Sequence, residues 1–168
     1  DEAKENSTSP FKNKFFYIAV LIMICAGASE LSMSQWASTF AETGLGVSKT
    51  VGDLAGSMAF AVLMGSGRII FSKLSDKIKI ESYLIFSSIL CIISYLMAGL
   101  SDNAIVSLVG CALCGLSVSA MWPGTISLST KQITGASTAM FAFLALSGDI
   151  GCTTGPVSYT HLRAHETL

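Results

Sequence analysis

Five apolar stretches, each long enough to cross a bilayer, occupy most of this chain: residues 15–36, 54–71, 83–100, 104–128 and 136–155. A hydrocarbon core ~30 Å thick takes about 20 apolar residues of helix to span. Lipid offers the backbone no hydrogen bonds, so only helices and closed barrels cross it. Residues 83–100, YLIFSSILCIISYLMAGL, carry no charge on any face, whereas a helix of a soluble bundle needs one polar face. With 51% hydrophobic residues, 12% charged residues and a mean hydropathy of +0.62, the composition agrees. The expected fold is all-α: a polytopic transmembrane helix bundle of five spans.

Charge sets the expected orientation. With a cytoplasmic N-terminus, the inner segments hold Lys4, Lys12, Lys14, Arg68, Lys73, Lys77, Lys79 and Lys131, against Lys49 alone outside. That asymmetry over short connections follows the positive-inside rule. It predicts a multi-pass protein of the cell (plasma or inner) membrane. The net charge of −1 hides the sidedness and is uninformative.

Little else in the composition carries chemistry. Cys25, Cys91, Cys111, Cys114 and Cys152 all fall inside apolar spans. The Cys111–Cys114 spacing is redox-like, yet a reactive thiol needs a polar setting that stabilises thiolate. Packing is the simpler role, so no metal or cofactor is expected. There is no GxxxxGK[ST], no HExxH and no Ser/His/Asp arrangement, so an enzyme is not expected and no residue is read as catalytic. Nothing points to nucleic acid.

The ends look foreign to the bundle. Residues 1–14 open on a polar run and read as the remnant of a cytoplasmic loop. Residues 157–167, VSYTHLRAHET, read as the in-frame translation of a transposase-type sequencing adapter. Residues 157–168 are therefore set aside as an artefactual tail, and with them His161 and His165.

The spans differ in character. The third is uniformly apolar, as suits a helix facing lipid over much of its surface. The others carry glycines, hydroxyls, carboxylates or proline. Gly52 and Gly56, Gly115 and Ser119, and Gly151 and Gly155 are small-xxx-small pairs that let helix backbones approach closely.

Between the second and third spans stand Gly67-Arg68 and Ser72-Lys73-Leu74-Ser75-Asp76-Lys77. They resemble the cytoplasmic signature loop of the major facilitator superfamily, with Ser72 and Lys79 where that loop usually has glycine. Such departures suit the looser copy in the second half of the family fold. Gly115-Leu116-Ser117 and Met121-Trp122-Pro123-Gly124-Thr125 in the fourth span resemble bacterial sugar permeases of the fucose-permease-like type. The resemblance covers residues 15–156. It implies spans seven to eleven of a twelve-span secondary transporter that works by alternating access. It also implies a small polar solute, a sugar among the candidates, and proton coupling. The implied partners are that solute, protons, the lipid bilayer, and the missing N-terminal six-helix half and last helix of the same protein. A piece without its facing half is expected to be inactive by itself. The alternative is a membrane signalling or scaffold protein that keeps the fold without transport.

Intramembrane acids are functional candidates by default, because burying their charge is costly. Glu30 shares a helical face with Gly27 and Ser34, and Asp149 with Ala145 and Thr153. Counted from the cytoplasmic ends of their spans, they lie ~22 Å and ~20 Å deep, at one level. Hydration near the outer interface is the plainer reading of Glu30, and a bond to a neighbouring helix that of Asp149. Trp122 beside Pro123 offers either an aromatic platform for a sugar ring or a packing contact at a kink. Gln35 and Trp36 are candidate solute contacts or an ordinary interfacial belt. Asp53 reads as a helix N-terminal acid. Gly67, Arg68, Lys73, Asp76 and Lys77 form the expected gating loop, where Asp76 would pair in one state and separate in the other. The plainer reading is that these lysines fix topology.

Overall fold

The computed structural model of the chain describes residues 13–46, 48–133 and 137–166, without the side chains of 43–45, 104 and 158–166. Most of the loop remnant, residues 1–12, therefore lies outside the described residues, and His161 and His165 are among those without described side chains. Six helices are present among them: α1 (Lys14–Leu45), α2 (Lys49–Leu74), α3 (Ile80–Leu100), α4 (Ala104–Val118), α5 (Met121–Gln132) and α6 (Thr138–Glu166). No strand occurs among the described residues. The expected all-α bundle is what forms.

Four segments are long and apolar enough to cross a membrane: Lys14–Glu42, Lys49–Leu74, Ile80–Leu100 and Ile105–Gln132. The fifth expected span, 136–155, is helical from Thr138 onward as part of α6. It is not among those four, because Asp149, Thr153, Thr154 and three glycines dilute its second half.

Helices outrun the apolar stretches that announced them. α1 continues past Trp36 to Leu45 and stops where Gly46 takes a left-handed conformation, φ 62°. Glycine reaches that conformation without a Cβ penalty, which makes it a common helix stop. Asn13 caps the other end, its side chain accepting from the Phe15 amide at 2.9 Å. Between α2 and α3 the expected connection 72–82 shrinks to residues 75–79. The rings of Phe71 and Tyr83, with centroids 5.2 Å apart, close that turn.

The fourth expected span is not one straight helix. α4 ends at Val118 and α5 starts at Met121, with Ser119 and Ala120 forming a turn between them. Pro123 explains the break: its ring clashes with the carbonyl four residues back, on Ser119, and it has no N–H to offer. Helical bonding resumes at once, with the Gly124 amide on the Ala120 carbonyl at 2.8 Å.

α1 is the central helix and packs against α6, α2, α4 and α5, while α3 rests on α4 and α5. One buried cluster joins α1 to α4 through Met33, Ala37, Phe60, Cys91, Cys111 and Val118. A second joins α1 to the far end of α5 and to α6 through Phe16, Met23, Ile133, Met140 and Leu144. The peripheral α3 exposes Ile85, Phe86, Ile89, Ile92 and Leu96. It is not featureless, however. Ile80, Leu84, Ser87, Cys91, Ser94 and Ala98 form a buried stripe at alternating spacings of four and three. Most of that stripe is small, which lets α3 approach α4 closely. The Ser94 hydroxyl is satisfied within its own helix, donating to the Leu90 carbonyl at 2.8 Å.

Candidate functional site

α1 and α6 run in the same direction, and glycines set their register. A Cβ on Gly151 would strike the carbonyl of Ile24, and one on Gly155 would come 2.9 Å from Ala28. A Cβ on Gly27 would meet the Gly148 carbonyl and, at 3.1 Å, the sulfur of Cys152. Each of these glycines is therefore a place where two backbones touch.

That register corrects the depth expected for the two acids. Ala28 faces Gly155, so Glu30 stands level with about Val157, and Asp149 lies about eight residues away along α6, or ~12 Å. Counting from helix ends placed them together only because it assumed that the ends align. Both carboxylates nevertheless lie within electrostatic reach of the Cys152 sulfur. Glu30 and Ser34 are half-buried on α1, while Gln35 and Asp149 are exposed. No hydrogen bond or ion pair to Asp149 occurs among the described residues. Beyond it, Thr153 and Thr154 spend their hydroxyls on the Ile150 carbonyl, at 2.9 and 2.8 Å.

Trp122 is a wedge, not an open platform. Its six-membered ring lies on Gly148, where a Cβ would come 2.5 to 2.7 Å from two ring carbons. The indole packs against both main clusters and so bridges α5 to α6. Two buried polar atoms of this first turn of α5 lack partners among the described residues: Trp122 Nε1 and Thr125 Oγ1.

The expected gating loop divides. Gly67 and Arg68 are helical residues of α2, not of the connection. Gly67 is buried where α2 crosses the α4–α5 break, and a Cβ there would collide with the Ser119 side chain. Arg68 is exposed and lies within electrostatic reach of Glu30. Lys73 closes the last turn of α2, and Asp76 and Lys77 are exposed in the turn beyond it. Asp76 has no ion-pair partner among the described residues. Asp53, one turn inside α2, accepts a hydrogen bond from the Ser38 hydroxyl of α1, so it joins two helices and is more than an end-capping acid.

An open groove of about 690 Å³ runs between α1 and α3 up to Gly155, with Ser29, Ser32, Met33, Trp36, Tyr95 and Gly99 among its walls. The Tyr95 hydroxyl donates across it to the Ser29 carbonyl at 2.9 Å. Neither candidate acid lines it.

The chain is thus a helical bundle with charged side chains on α1, α2 and α6 and a glycine-seated α2. A family model described as Major Facilitator Superfamily matches residues 2–156. The chain belongs to the major facilitator superfamily. The comparisons with curated proteins and with solved structures gave no match. As a superfamily member it is a secondary transporter of the major facilitator type, a multi-pass protein of the lipid bilayer acting on a small molecule. Superfamily members are transporters, not enzymes.

In this superfamily chain, sequence reasoning named the charged residues but not their grouping. It set Arg68 with the loop and Glu30 with the solute site; Arg68 lies on α2 and Glu30 on α1, with no ion pair between them among the described residues. It also missed the contact of the Cys111 thiol with the Met33 sulfur at 3.2 Å. The expected second span, 54–71, already contained Gly67 and Arg68, as α2 does.

Proposed function

We propose that this major facilitator chain forms the second-half wall of a pathway for a small polar solute, with sugars the first class to test, and that solute movement is coupled to protons. The observation that carries the reading is the exposed Asp149 on α6, with Glu30 on the neighbouring α1, within helices of membrane length. An acid there is costly unless it faces a water-filled pathway or a partner. Ser34 and Gln35 on α1 supply hydrogen-bonding capacity. The sugar class rests on the resemblance of Gly115–Ser117 and Met121–Thr125 to bacterial sugar permeases.

In this reading the N-terminus is cytoplasmic, in a plasma or inner membrane, because the lysines gather at that end of the bundle. An N-terminal six-helix half and a last helix complete the pathway, and the present chain alone does not transport. Residues 157–168 are adapter-encoded; the family match stops at residue 156, which supports that assignment. The experiment is solute-dependent alkalinisation, measured on the completed transporter in vesicles with a panel of monosaccharides and related polar solutes. Proton uptake with one solute class is the expected result. A silent panel together with stable capture of a protein partner supports the scaffold alternative instead.

Asp76 keeps its proposed gating role, since it is exposed and has no ion-pair partner among the described residues. Asp76→Asn is expected to slow transport several-fold at normal membrane levels. Unchanged transport leaves the lysines of this turn as topology determinants only.

A further inference from the structure

We propose that Cys91 of α3 and Cys114 of α4 are a redox-closable thiol pair, a modification site at which an organic hydroperoxide dissolved in the bilayer ties the peripheral helix to the central bundle. Helix register brings the two opposite each other. A Cβ on Gly110 would come 2.8 Å from the Ser94 carbonyl and 3.0 Å from the Ala98 amide, so α3 and α4 touch backbone to backbone there. Further along, a Cβ on Gly124 would come 2.8 Å from the Leu84 side chain. The two helices are therefore antiparallel. One turn on from Gly110, at Cys114, the facing turn of α3 is the one that carries Cys91. Both belong to one buried cluster, Cys114 fully buried and Cys91 7% exposed. Their side chains are direct neighbours. A disulfide needs Cα atoms within about 7 Å, closer than helices with large side chains pack. The stripe of Ser87, Cys91, Ser94 and Ala98 supplies that approach.

Cys111, although three residues from Cys114, turns elsewhere: its thiol donates to the Met33 sulfur of α1 at 3.2 Å. The apolar spans also hid the polar setting that a reactive thiol needs. Ser117 and Ser29 stand beside Cys91. The Ser117 hydroxyl donates to the Cys114 carbonyl at 2.8 Å, and Tyr95, one turn beyond Cys91, donates to the Ser29 carbonyl at 2.9 Å. The exposed face of α3 is apolar, with Ile85, Ile89, Ile92 and Leu96, so a reagent reaching Cys91 arrives through lipid. The Cys91 sulfur attacks the terminal oxygen of the hydroperoxide. The O–O bond breaks, the thiol proton leaves with the alkoxide as an alcohol, and Cys91 becomes a sulfenic acid. The Cys114 sulfur then displaces the hydroxyl, which departs with the second thiol proton as water, and the S–S bond forms. Two thiols lose two electrons and the peroxide gains them.

The full chain, inserted in lipid vesicles, is treated with cumene hydroperoxide and denatured, and its remaining thiols are alkylated with N-ethylmaleimide. Intact mass counts the labels. The parent chain has five cysteines and is expected to lose two labels on treatment and to regain them after reduction. Cys111→Ala is expected to lose two as well, whereas Cys91→Ala and Cys114→Ala keep all of theirs. Full labelling of the treated parent, or a loss that reduction does not restore, overturns the proposal. An undiminished loss in Cys91→Ala also overturns it, because the pair would then be Cys111 with Cys114. Peptide mapping of the treated parent needs no variant to fold. A link between the peptides carrying Cys91 and Cys114 is expected, and a link between any other two cysteines overturns the assignment.

Discussion

Replacing Gly151 by alanine is expected to destabilise the bundle by about 3 kcal/mol, the upper end of the cost of overpacking a tight interior. In an open helix the same change helps by up to ~1 kcal/mol, because alanine is the better helix former. The sign reverses here because the added methyl has nowhere to go. It would strike the Ile24 carbonyl oxygen and lie 2.8 Å from the carbonyl carbon and 2.9 Å from Cα of the same residue. Those are backbone atoms, so no rotamer change relieves the clash. The helices must separate along their whole seam, and α1–α6 is the most extensive pairing in the bundle. The midpoint of thermal unfolding in detergent reads the effect. Gly99→Ala is the control, since nothing lies within 4 Å of a Cβ there, and it is expected to match or exceed the parent. Equal midpoints for Gly151→Ala and Gly99→Ala contradict the tight α1–α6 contact.

In the completed transporter, Asp149→Asn is expected to abolish accumulation while leaving solute exchange intact. One proton moving down 100 mV releases ~2.3 kcal/mol, enough to hold a gradient of about fifty-fold at 1.4 kcal/mol per factor of ten. Asparagine keeps the shape and hydrogen-bonding capacity of the side chain but cannot carry the proton. Accumulation should therefore fall from about fifty-fold to about equal concentrations on the two sides. Counterflow of labelled solute, which needs no net proton movement, should continue. Asp149 is favoured over Glu30 for this role because it is exposed on α6, whereas Glu30 is half-buried on α1. Loss of accumulation in Glu30→Gln with Asp149→Asn intact reverses the assignment.

The parts that sequence reading missed have separate physical causes. Hydropathy marks the depth of lipid a segment matches, not the length over which it stays helical, so α1 was ended at Trp36 although it runs to Leu45. For the same reason the second span was ended at Phe71 although α2 runs to Leu74. Pro123 was noticed as a kink, but its effect on the carbonyl of Ser119 was not used to divide the fourth span. Trp122 looked like a platform because the residue opposite it was unknown; Gly148, on a different helix, is what its ring covers. The uniform third span hid a small, partly polar stripe because averaging around a helix erases its faces.

What the sequence determined by itself was which segments are helices and that the whole is a membrane bundle. In lipid each helix satisfies its own backbone hydrogen bonds, so length and apolarity of a segment suffice to specify it without reference to its neighbours. The signature around Gly67–Lys77 likewise pointed to the superfamily from local residues alone. Only the tertiary structure decided which side chains meet. Contacts such as Gly151 on Ile24 and Gly56 on Ala37 fix how far each helix slides along the next, and no single segment carries that information. A slide of two turns along the α1–α6 seam is what separates Glu30 from Asp149.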